Sequence, residues 1–203
     1  EKFSKIKVEH YLWYPLRNIF IQLGKEKFDR IFDIGNKDYL LAYNPWEFQD
    51  YTARLIPAKL YRMSVTDQSL QLIDTIAGKA IIAPNGTRLL YQKNSFWKLV
   101  QLGDLHTIDV GRNDFKNPYF IGNELIYFEA VEGIWEYDLK KNSLNLKYKI
   151  GESNFTSRIL NGSFKVLNFH SFTEPTFSMK TLDPDKILIE GKDGDKQQRV
   201  MFF

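Results

Sequence analysis

The sequence predicts an all-β protein of the β-propeller type, on three observations. Apolar and polar residues alternate over short runs along most of the chain, and no long segment keeps apolar residues at the 3.6 period of a helix. Phe (16) and Tyr (11) dominate the aromatics, and these side chains suit half-buried pleated surfaces. One outline of strand, polar turn, strand and Gly recurs about five times at a spacing of roughly 40 residues.

In chain order, the first copy runs from Ile19 to Gly35 around Gly24-Lys25-Glu26. The second runs from Leu60 to Gly78 and turns at Thr66-Asp67-Gln68-Ser69. The third, Phe96 to Gly111, turns at a Leu-Gly-Asp. The fourth, Ile134 to Gly151, turns at Lys140-Lys141-Asn142-Ser143. The fifth, Phe177 to Gly191, turns around Asp183-Pro184-Asp185. These turns carry the side chains that hairpin loops favour. Tyr61, Met63 and Val65 share one strand face, and Trp135, Tyr137 and Leu139 match them. A Gly closing each copy is expected to let the chain turn at positive φ into the next.

A shorter element precedes the hairpins. Ala83 to Tyr91 matches Tyr119 to Tyr127 without gaps, and Asp38–Tyr43 and Gly162–Asn168 are looser versions. Each copy then holds four strands in about 40 residues, the content of one propeller blade. The expectation is a single domain over 1–203, with repeats of about 1–35, 36–78, 79–111, 112–151 and 152–191. Residues 192–203 read as a further strand that pairs with the first repeat or continues the last. The ring is closed by these repeats or forms part of a larger one. Five amphipathic hairpins also fit a β-sandwich or a meander barrel, the alternative architectures.

Pro84-Asn-Gly-Thr-Arg-Leu-Leu-Tyr91, followed by Trp97-Lys-Leu and later a Gly, resembles the TolB-type and WD-repeat-like propellers. Ile134-Trp-Glu-Tyr-Asp-Leu139 is the best copy of their aromatic-x-aliphatic-Asp strand. The Trp-Asp dipeptide and Gly-His pair of true WD repeats are absent, which excludes that subfamily. The resemblance implies an extracytoplasmic interaction domain. One setting for such repeats is the sensor end of a membrane-anchored ToxR/CadC-type transcription regulator, where a winged-helix domain and one membrane span precede them.

Composition narrows the function classes. Lys plus Arg (28) nearly balances Asp plus Glu (25), with the signs interspersed, so direct nucleic-acid binding by this segment is not expected. The chain has no cysteine, which removes disulfides, thiolate metal sites and cysteine nucleophiles. That composition fits a periplasm, with cytoplasm as the alternative. Glu1 opens the chain, which reads as a mature product or an excised domain, with any membrane anchor outside it.

No catalytic motif emerges. His10, His106 and His170 sit at unrelated repeat positions, with no metal-ligand spacing. Asp193-Gly194 reads as a hairpin turn rather than a calcium loop. Asp33, Asp38 and Glu124 are the acids considered for a glycosidase-like channel, though no spacing singles them out. Asn85-Gly-Thr, Asn154-Phe-Thr and Asn161-Gly-Ser fit the glycosylation pattern, but Asn-Gly is also a turn dipeptide.

The binding candidates are aromatic. Trp46, Phe48 and Tyr51 lie in a predicted loop insertion, and Trp13 and Tyr14, beside Tyr11, lie near the start. Packing under a loop or against a neighbouring blade explains the same residues equally well. The expected function is non-catalytic binding of a protein or small-molecule ligand, with a homo-oligomer among the partners and no cofactor. The alternatives are a carbohydrate-active or peptidase-associated propeller and a structural assembly module.

Overall fold

The computed structural model describes residues 9–24, 28–44, 47–48, 57–149, 155–159, 165–168, 187–193 and 196–202. The protein packs as two compact units. One comprises Glu1–Gly78 with Phe169–Phe172, and the other Lys79–Asn168 with Thr173–Phe203.

In the first unit, β1 (His10–Tyr14) and β2 (Ile19–Leu23) form an antiparallel hairpin. A four-stranded sheet follows in chain order: β3 (Arg30–Asp33), β4 (Tyr39–Tyr43), β5 (Ala58–Ser64) and β6 (Leu70–Ile76). The second unit holds β7 (Lys79–Ile82), β8 (Arg88–Lys93), β9 (Phe96–Gln101) and β10 (Thr107–Arg112) in one sheet. A second sheet holds β11 (Lys116–Ile121), β12 (Leu125–Ala130), β13 (Gly133–Asp138) and β14 (Ser143–Lys149). A three-stranded sheet contains β15 (Phe155–Ile159), β17 (Ile187–Asp193) and β18 (Lys196–Phe202), in that order. Successive up-and-down four-stranded antiparallel sheets are propeller blades, so the fold is all-β and of propeller type. Among the described residues no sheet closes on itself, as a meander barrel requires.

Three features repeat at the same place in all three four-stranded blades and fix their common register. The amide of Val65, Leu102 and Leu139 donates to the carbonyl of Asp38, Thr87 and Glu124, at 2.9, 2.8 and 2.9 Å. A β-bulge follows Leu60, Trp97 and Ile134, which inserts Ile73, Val110 and Lys147 into the outer strand. The outer turn ends on a residue at positive φ: Gln68 (58°), Leu105 (60°) and Asn142 (50°). The β1–β2 turn is built the same way, with Asn18 at 49°, so this hairpin is the outer half of a further blade.

This register corrects several expectations. Leu89 pairs with Val100 as Ile126 pairs with Tyr137, so Leu89, not Leu90, corresponds to Ile126. The ungapped match of residues 83–91 to 119–127 is therefore off by one along β8, whose preceding turn is one residue longer, and a one-residue slip exchanges the two sheet faces. The expected Ile19–Gly35 hairpin does not form. β2 pairs back onto β1 across Pro15–Asn18, and β3 pairs forward onto β4. Gly35 (φ 77°) therefore turns within a blade, whereas Gly78 (φ 96°) does link two blades. Gly111 lies inside β10 and Gly191 inside β17, so neither is a closing turn; Gly151 lies outside the described residues. A Cβ on Gly111 would meet Phe115 at 3.0 Å and Phe128 and Trp97 at 3.2 Å, so close ring packing is what this glycine serves. β16 (Lys165–Asn168), expected as an inner strand of the fifth repeat, instead pairs with β7 and covers that strand's open edge. β18 pairs with β17, with Asp193 opposite Lys196, so the terminal strand continues the last sheet through a tight hairpin.

Each core lies between consecutive sheets. In the first unit Leu12 and Leu23 of the hairpin pack with Met63, Tyr61 and Leu70 of the blade that follows. In the second, Ile81, Leu90, Trp97 and Leu99 of one blade pack with Phe120, Ile126, Phe128 and Tyr137 of the next. The face carrying Met63 or Tyr137 is thus covered by the sheet that precedes it in sequence. Burying such a side chain contributes roughly 1.5–3 kcal/mol.

Candidate binding surface

On β1 and β2 the cross-strand pairs Trp13–Phe20 and Tyr11–Gln22 share one face, and Leu12–Ile21 and His10–Leu23 share the other. The Leu12 and Leu23 face belongs to the core, which leaves the Trp13 face outward. Trp13 and Phe20 stack with centroids 5.6 Å apart and planes 9° apart, a flat apolar surface. Trp13 is 54% exposed, Phe20 60% and Tyr11 53%. By the blade register, Trp13 occupies the position of Met63, Val100 and Tyr137, which are 0%, 1% and 5% exposed. Among the described residues, no sheet covers this blade-packing face of the hairpin.

The hairpin tip differs from its sister turns in chemistry. Tyr14, Leu16 and Ile19 are exposed. Their counterparts are Ser64, Gln101 and Asp138; Thr66, Gly103 and Lys140; and Ser69, His106 and Ser143. Between positions 10 and 24 Arg17 is the sole Asp, Glu, Lys or Arg. At the base, the Tyr11 hydroxyl donates to Glu9 Oε2 at 2.8 Å. The face is therefore apolar in the middle, with a cation at the tip and an anion at the base.

The sequence singled out five aromatic positions. Trp13 and Tyr14 sit together on β1 but on opposite faces. Phe48 is half-buried, with Lys59 Nζ 5.3 Å from its ring centre and Lys59 paired to Glu47 at 2.6 Å. Trp46 and Tyr51 lie outside the described residues. Phe20, Leu16 and Ile19 were missed, although the charge-poor run from His10 to Gly24 marks them.

The acids considered for catalysis are engaged locally. Asp33 Oδ1 accepts from the Gly35 amide at 2.8 Å, the Asp38 carbonyl serves the blade bond to Val65, and Glu124 pairs with Lys140 at 2.7 Å. The His10 ring lies 3.3 Å from the Asp29 carbonyl, Asp104 accepts from the His106 amide, and His170 lies outside the described residues. Among the described residues no group of three His, Asp or Glu side chains could hold a metal. The buried acids are structural. Glu129 accepts from Asn117 Nδ2 at 2.6 Å, and Glu136 takes Lys147 at 2.8 Å and the Tyr127 hydroxyl. Burial, then the Glu136 carboxylate, pushes the Tyr127 phenol well above the usual tyrosine range. At the end of β10, Arg112 lies 4.7 and 5.0 Å from the ring centres of Phe115 and Trp135 and pairs with Asp114 and Glu132. The Arg112 hydrogen bond holds the Glu132 carboxyl below its ordinary value.

The chain matches no protein-family model and no curated protein. Among solved structures it is similar to dipeptidyl peptidase 4 from Porphyromonas gingivalis, with a TM-score of 0.53 and 7% identity over 77% of this chain. It spans 28% of that protein's length. It is also similar to a putative TolB from Agrobacterium tumefaciens (TM-score 0.41, 13% identity, 97% of this chain and 74% of that one). A third is the β-propeller domain of the Trilobed protease from Pyrococcus furiosus (TM-score 0.40, 9% identity, 86% and 57%). At these identities the likeness concerns fold alone. Fold and surface together define a propeller-type protein with an uncovered blade-packing face.

Proposed function

We propose that this chain is a non-catalytic binding domain that engages a protein partner through the Tyr11, Trp13 and Phe20 face. The observation that carries this reading is the exposure of Trp13 at a position buried in all three sister blades. Exposed aromatic faces of this kind mark interaction sites, and Trp and Tyr are the usual anchors. An extracytoplasmic location accompanies the TolB-type resemblance and the cysteine-free composition, and the sensor end of a membrane-anchored regulator is one setting for it. The test uses a single thiol in this cysteine-free chain. Phe20→Cys should react with a maleimide at the rate of a free cysteine. Its counterpart Leu144→Cys, on a covered face, should react at least tenfold more slowly. Equal protection of both thiols would remove the reading.

A further inference from the structure

We propose that Asn85 is a site of spontaneous deamidation whose rate is set by opening of the Ala83–Thr87 turn between β7 and β8.

The closed turn withholds one reactant and prepares the other. The nucleophile is the main-chain nitrogen of Gly86, which no side chain of its own residue shields. Its N–H donates to the Ala83 carbonyl at 2.9 Å, and Gly86 is buried. An N–H engaged in this way holds its proton more firmly, and attack requires that proton to leave. The electrophile is Asn85 Cγ, on an exposed residue that water reaches. Asn85 Oδ1 accepts from the Thr87 amide at 3.1 Å and from the Thr87 hydroxyl at 2.7 Å. The amide can only donate, which fixes that side-chain atom as the oxygen. Two donors on one carbonyl oxygen stabilise the negative charge that attack at Cγ places there.

Release of the Gly86 N–H from Ala83 is therefore the step that the fold controls. The freed nitrogen loses its proton and bonds to Cγ, the Cγ–Nδ2 bond breaks, and the amide group leaves with a proton as ammonia. Water then opens the five-membered imide, either to aspartate or to isoaspartate, whose main chain is one atom longer. Both products add a negative charge at residue 85. The longer main chain also displaces the Asn85 amide from Asn123 Oδ1, 3.2 Å away, which is the tie to the β11–β12 turn of the next blade. Conversion thus marks chains whose third blade has opened.

The experiment holds the full chain at neutral pH, folded in buffer or unfolded in urea, and follows conversion at Asn85 by peptide mass mapping. Conversion in the folded chain should be at least about tenfold slower than in urea, and the Gly86 amide should be protected from hydrogen exchange to the same degree. Asn123→Ala, which removes the tie, should speed conversion in the folded chain about threefold or more and leave the rate in urea unchanged. Equal rates in the two states overturn the inference. So does a folded rate that fails to track Gly86 protection from the parent chain to Asn123→Ala. Absence of conversion in urea removes Asn85 as a site altogether.

Discussion

Trp13 and Tyr137 occupy the same blade position, two residues before the four-residue outer turn, yet Trp13 is 54% exposed and Tyr137 5%. The difference lies in what covers them. Ile81, Leu90 and Leu99 pack in the cluster that holds Tyr137, whereas Trp13 stacks on Phe20, itself 60% exposed.

The pair makes opposite stability predictions. Trp13→Ala should change unfolding free energy by no more than about 0.5–1 kcal/mol, as exposed substitutions do. Met63→Ala and Tyr137→Ala, which open cavities at the equivalent site, should each cost about 2–5 kcal/mol. Urea titrations followed by circular dichroism separate these values.

Two glycines should be intolerant for different reasons. Gly133 has φ 146°, and a Cβ there would lie 1.8 Å from the Tyr148 carbonyl oxygen. Gly133→Ala forces β13 from β14 and should unfold the blade's outer edge. Gly111→Ala meets three aromatic rings that can shift by tenths of an ångström, so its cost should stay near 1–3 kcal/mol. Thermal melts of both variants should show the larger loss at position 133.

The Trp97 indole donates to the buried Phe115 carbonyl at 2.9 Å. Trp97→Phe removes the donor, keeps much of the ring, and leaves that carbonyl unsatisfied. The expected cost is about 1–3 kcal/mol on chemical denaturation.

The outer turn at Asp67 should be acid-sensitive. Hydrogen bonds from the Ser64 hydroxyl, then from the Ser69 amide and hydroxyl, hold the Asp67 carboxyl at about 2 rather than 3.8. Because the folded value is depressed, the turn's stabilisation is complete above about pH 4 and is lost as pH falls through about 2. Carbon-detected NMR titration of Asp67 should show that low midpoint, and Ser69→Ala should raise it.

The blades were legible in the sequence because alternation and turn residues recur from Leu60 to Lys149 in segments that each form a sheet edge or centre. The register was not. The Pro84–Thr87 turn is one residue longer than Gly122–Glu124, and that single residue moves Trp97 from the face of Trp135 to the face of Ile134. The bulges at Ile73, Val110 and Lys147 leave no compositional trace. Gly111 resembled a turn glycine because nothing local announces three rings around it. The aromatic cluster at 11–14 stood out by composition. Phe20 and Leu16 joined it only through the β1–β2 pairing, which the misplaced Gly24 turn concealed.

The most direct measurement of the central claim is acrylamide quenching of Trp13, taken as the difference between the chain and its Trp13→Phe variant at low micromolar concentration. An uncovered blade-packing face predicts a Trp13 component quenched nearly as readily as free tryptophan, with emission at long wavelength. A Trp13 component that resists quenching, as expected of the buried Trp97, would contradict it, since the face would then already be covered by the chain itself.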